Sequence, residues 1–98
     1  MVSVVVTYYV LPGKKEEYLV ILKELIKHTQ AEEGCVYYDL YENVEGFDTD
    51  NAFTLVEVWK DQAALDFHLE QDYFLSSVEK LTPIRKTERI RNVYKKAY

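Results

Sequence analysis

At 98 residues, with 30% charged and 48% hydrophobic side chains, the chain suits a single soluble domain over 1–98, with one core and little surplus stability. Lys and Arg number 12 against 17 Asp and Glu, and the net charge of −5 argues against a dedicated nucleic-acid binder. The start does not resemble a signal peptide, no run approaches a membrane span, and the lone Cys35 excludes an internal disulfide, so a reducing cytoplasm is expected.

SVVVTYYVL (3–11) is β-branched and aromatic, and reads as a strand ended by Pro12-Gly13. From Lys14 to Glu33, the residues Tyr18, Leu22, Leu25, Ile26 and Thr29 recur at helical spacing, with Gly34 placed to cap the end. CVYYDLYENV (35–44) is a second strand, EGFDTDN (45–51) a polar turn, and AFTLVEVWK (52–60) the returning strand of a hairpin. Asp61 can cap a helix over roughly 62–70 that resumes or kinks over 72–81; Thr82-Pro83 ends it, and 85–98 alternates as a last strand.

The order β-α-β-β-α-β predicts an α+β, ferredoxin-like sandwich, with two helices on one face of a four-stranded antiparallel sheet. A sheet with one wet face should alternate apolar with polar. Strand one instead sets Val4, Val6, Tyr8 and Val10 against Val5, Tyr9 and Leu11, and strand two opposes Tyr37 and Tyr41 to Val36, Tyr38 and Leu40. Two apolar faces predict a homodimer packed sheet to sheet.

Candidate chemistry gathers at one strand-to-helix corner. The only Trp, Trp59, shares a strand face with Glu57, Leu55 and Phe53. An acid between large apolar neighbours is costly unless paired or functional; Arg89 or Arg91 on the last strand could pair with it. His68 lies on the helical stripe of Ala64 and Leu65, where a histidine serves either as a hydrogen-bonded core residue or as a base. Two widely separated His and one Cys give no zinc spacing, and Asp48 and Asp50 begin a calcium-like loop without its Gly or final Glu. Three scattered glycines make no phosphate loop, so no cofactor is indicated. The last strand holds half of the basic residues, but the third strand lacks the aromatic-and-glycine signature of an RNA reader.

GCVYYDL (34–40) and AFTLVEVWKDQAALDFHL (52–69) resemble the antibiotic biosynthesis monooxygenase family. The matching positions are Gly34, Cys35, Tyr38, Asp39, Leu40, Phe53, Glu57, Trp59, Asp61, Ala64 and His68. The resemblance implies a dimeric α/β barrel and a cofactor-independent monooxygenase that oxidises a quinol or phenolic substrate with dioxygen. An isomerase on the same scaffold and a non-catalytic ligand-binding dimer are the alternatives. Under the resemblance His68 is the base, Glu57 its orienter or a second acid, and Tyr73 a hydrogen-bond donor. Trp59 is the flat wall of the pocket, lined further by Tyr38, Phe53, Leu65 and Phe74. Tyr73 stands where the family commonly has a second His, and a phenol is a poorer base than imidazole at neutral pH. Haem-degrading relatives use an Asn where this chain has Thr7 and a late-helix His that it lacks.

Overall fold

A computed structural model describes residues 1–98. The elements are β1 (Val2–Tyr9), α1 (Lys15–Gln30), β2 (Cys35–Glu42), β3 (Ala52–Trp59), α2 (Gln62–Leu69), α3 (Asp72–Leu81) and β4 (Ile90–Lys95). Short 3₁₀ turns precede β3 (Thr49–Asn51) and follow α3 (Thr82–Ile84). The strands form one antiparallel sheet in the order β2-β3-β1-β4, the arrangement of a ferredoxin-like fold.

The helices cover one face of this sheet. There Val4, Val6, Tyr8 and Val10 of the first strand region meet Tyr18, Leu22 and Leu25 of α1 and Leu65 of α2 in a shared core. The dipole of α1 is matched by Glu16 and Glu17 in its first turn and by Lys27 and His28 in its last. Asp61 caps α2 as its sequence position predicts, accepting from Ala64 N at 2.8 Å. Between α2 and α3 the backbone of Gln71 turns extended (ψ 139°), so the second helical segment divides into two helices.

Three expectations change in detail. Helix α1 closes at Ala31, and Gly34 is not its cap; a Cβ at Gly34 would overlap the Cβ of Ala64, so close approach of β2 to α2 is what demands glycine there. Strand β2 carries a bulge between Cys35 and Tyr37, which ejects Val36 from the alternation and leaves it 55% exposed. Cys35, paired with Trp59, takes the helix-side position instead. Strand β4 is shorter than its alternation suggests, because Lys86 N bonds Tyr9 O at 2.7 Å and the chain rejoins β1 only from Ile90. The acidic turn is tied both locally and to a distant segment: Asp48 accepts from Asn51 Nδ2 at 3.0 Å and from Lys86 Nζ, 38 residues on, at 3.1 Å.

The other sheet face mixes apolar and aromatic side chains with Thr7, Asp39, Thr54 and Asn92, and this chain leaves it uncovered. Val5, Tyr9, Val56 and Val58 are half-buried there, whereas Tyr37, Tyr41, Ile90 and Tyr94 are exposed. No helix of the protein is long and apolar enough to cross a membrane.

Candidate active site

Period-two alternation along β3 brings Glu57 and Trp59 to the helix side of the sheet, where Trp59 Nε1 donates to Glu57 Oε1 at 2.9 Å. The α2 helix, started by the Asp61 cap, delivers His68 onto the same spot. His68 is 1% exposed, with ring centroids 4.7 Å from Trp59, 4.8 Å from Phe74 and 5.6 Å from Tyr38. Its Nδ1 lies 2.7 Å from Oε2 of Glu32, in the connection after α1, while Nε2 is buried without a protein partner.

Beside His68 lies a cavity between the sheet and the helices α2 and α3. Tyr8, Tyr38, Glu57, Arg89 and Arg91 supply its polar lining, and Val6, Leu69 and Phe74 its apolar lining. Its free volume is about 10 Å³, room for one water. A larger, open cleft of about 520 Å³ lies on the far side of α2, bordered by Glu32, Lys60, Asp61, Ala64 and Phe67. Glu32 therefore stands between the outer cleft and the inner histidine.

Burial sets the electrostatics. It raises the Glu57 carboxyl to about 7, with the Trp59 hydrogen bond and then the charges of Arg91 and Arg89 pulling the other way. Burial also lowers the His68 pKa from its ordinary value, while the Glu32 contact raises it. The phenols of Tyr8 and Tyr38 are pushed well above their usual range by burial and by Glu57, so both stay protonated as O–H donors. The inner site thus combines a neutral imidazole, an acid that titrates near neutrality, two phenols and two guanidiniums.

Four of the eight sequence candidates, His68, Glu57, Tyr38 and Phe74, line this cavity. Trp59 is 0% exposed and lies beneath the site in the core, packed on His68, and lines no cavity; its expected role as a pocket wall does not fit this arrangement. Phe53 and Leu65 are also core residues: Phe53 stacks on Tyr18 at 6.4 Å beneath the Lys15 ammonium, and Leu65 is 1% exposed. Tyr73 places its ring 6.2 Å from His68, but its hydroxyl is enclosed, unpartnered and outside the cavity lining. Glu57 does not orient His68; that contact belongs to Glu32, which no local pattern marks because it is 36 residues away in the chain. Nor does Glu57 form an ion pair with Arg89 or Arg91, although the basic character of the last strand does bring both to the cavity. Tyr8 also lines the cavity; its sequence position places it only on one apolar strand face, with Val4, Val6 and Val10.

The sequence model of the antibiotic biosynthesis monooxygenase family matches residues 1–80. The chain is 44% identical over 69 residues to YcnE of Bacillus subtilis, a protein whose name assigns it provisionally as a monooxygenase; the match covers 70% of each. It is 41% identical over 69 residues to sll1783 of Synechocystis, whose name carries no function, and this match covers 70% of the chain but 45% of that relative. Among solved structures, a conserved protein from Methanosarcina mazei superposes with a TM-score of 0.90 at 34% identity, covering 97% of this chain and 91% of that one.

Proposed function

Because the chain belongs to the antibiotic biosynthesis monooxygenase family, we propose that it oxidises a quinol or phenolic substrate with dioxygen, using its own side chains rather than a bound cofactor. The observation that carries this reading is His68, whose Nδ1 is engaged by Glu32 and whose Nε2 is free beside a cavity rich in hydrogen-bond donors. Nε2 takes a proton from the substrate hydroxyl, and the electron pair left behind makes the ring electron-rich enough to reduce dioxygen. Arg89, Arg91 and the phenols of Tyr8 and Tyr38 stabilise the anion. Oxygen adds to the ring carbon as a peroxide, which takes a proton from His68 or Glu57. Loss of water, with departure of the hydrogen on that carbon, leaves a new carbonyl; one oxygen atom enters the product and the other leaves as water.

The cavity of about 10 Å³ is too small for such a ring, so entry requires displacement of its outer wall, Phe74 of α3 and the edge strand β4. A homodimer packed sheet to sheet covers the exposed sheet face on the other side. The lone Cys35 suits the reducing cytoplasm in which we place the protein.

Oxygen uptake over a panel of quinols tests the reading, with His68→Ala as the control. A productive quinol should lose turnover by roughly 10²–10⁴ in the variant while the protein stays folded. Full activity in His68→Ala would reject the assigned base. Substrate proton exchange without oxygen uptake would point to the isomerase chemistry instead.

A further inference from the structure

Of the acid–base side-chain pairs in the protein, Glu32 and His68 are the most enclosed. Their side chains are 10% and 1% exposed, and Oε2 lies 2.7 Å from Nδ1. A carboxylate oxygen can only accept, so Nδ1 carries the hydrogen in this contact and Nε2 keeps the lone pair. Nε2 has no protein partner, and His68 lines the inner cavity. The other carboxyl nearby, Glu57, is already engaged by the Trp59 indole. The ring is also faced by Tyr38 and Trp59 from the sheet, by Tyr73 and Phe74 from α3, and by Arg91 from β4, whose charge opposes an imidazolium. Glu32 is the one carboxylate placed to offset that opposition by direct contact.

We propose that Glu32 is the positioning residue of the site: it fixes His68 as the Nδ1–H tautomer, presents Nε2 to the cavity as the base, and stabilises the imidazolium formed there. The inference rests on the reading of His68 as the base. In the step concerned, the substrate O–H bond breaks and an N–H bond forms at Nε2. The electron pair stays on the substrate oxygen, and Glu32 gains no proton. An imidazole held this way does not need to reorient before it accepts a proton, which removes a reorganisation cost from the step. The division of labour differs from the one expected of Glu57: the inner acid faces the cavity, and the acid bordering the outer cleft holds the base.

Nitrogen-15 NMR of the histidine rings tests this without any substrate, with exposed His28 as the internal reference. The native protein should show neutral His68 with hydrogen on Nδ1 and a bare Nε2. Glu32→Gln keeps a carbonyl acceptor but removes the charge, so the tautomer should persist while the His68 midpoint falls by about one pH unit or more. Glu32→Leu removes the acceptor and should release the ring to the Nε2–H tautomer. With any quinol that the protein oxidises, Glu32→Gln should lower kcat by about tenfold or more, leave KM little changed, and move the acid limb of the rate profile down. A native His68 with hydrogen on Nε2, or a midpoint unmoved in Glu32→Gln, overturns the proposal. Glu32→Gln is close in shape to the native residue, so the test stands even where Glu32→Leu fails to fold. A fully active His68→Ala would remove the base assignment and leave the tautomer result intact, so the two failures are separable.

Discussion

Glu57 and His68 lie in the same enclosed layer and respond to burial in opposite directions. Both are pushed toward neutrality, the carboxyl by a pKa raised to about 7 and the imidazole by a lowered one. The folded state therefore holds a proton on Glu57 that the unfolded chain releases near 4.5. The stability this contributes is fully present below 4.5 and is lost as pH rises through about 7, on the order of 3 kcal/mol. His68 has the opposite sign, since its unfolded form takes up a proton near 6.5 that the folded form resists; its contribution is lost on acidification below that value. Glu57→Gln keeps an acceptor for the Trp59 indole and removes the titration. Urea denaturation of the two proteins from pH 4.5 to 8 should show the variant gaining on the native protein as pH rises. Parallel curves would mean that Glu57 is not held as a neutral acid.

The corner between β3 and α2 depends on how closely α2 can approach β2. Gly34 has no positive φ to explain it; Ala64 occupies the space its side chain would need. The same approach brings His68 over Trp59, so the glycine serves the site through packing. Gly34→Ala should cost about 1–3 kcal/mol by overpacking. Ala64→Gly alone should cost about 1 kcal/mol in helix propensity. Together they should cost clearly less than their sum, because the second change vacates the space that the first requires. Thermal or urea unfolding of the three variants reads this coupling, and strict additivity would show that the two residues do not compete for space. The division of the second helical segment at Gln71 also matters for the site, since it sends Phe74 back across His68.

Across the whole molecule, one sheet face is packed by helices and the other is left with Tyr37, Tyr41, Ile90 and Tyr94 exposed around half-buried valines. Exposed aromatic and aliphatic side chains gathered on one sheet face are a common mark of an interaction surface. Pairing two copies through this face would bury an interface of about 1,600 Å². Light scattering at micromolar concentration should return twice the chain mass of 11.6 kDa. Charged substitutions such as Val56→Glu and Tyr37→Glu should shift that mass toward the monomer. A stable native monomer at that concentration would refute the sheet-to-sheet dimer.

The order of strands and helices, the Asp61 cap and the shared face of Glu57 and Trp59 can be read directly along the chain. These depend on periods of two and 3.6 residues and on turn chemistry, all written within a few neighbouring positions. The same local rule misassigned Val36, because a single extra residue in a bulge shifts the alternation and only pairing with β3 reveals it. Arg89 and Arg91 line the cavity beside Glu57, where the sequence of the last strand already offered them as its partners. Only packing across the fold brings Glu32 to His68 from 36 residues away, keeps Trp59, Phe53 and Leu65 in the core rather than the lining, and adds Tyr8 to the cavity. Their roles come from the packing of α2, α3 and β4 against one another and the sheet, a relation between distant segments that no local period records.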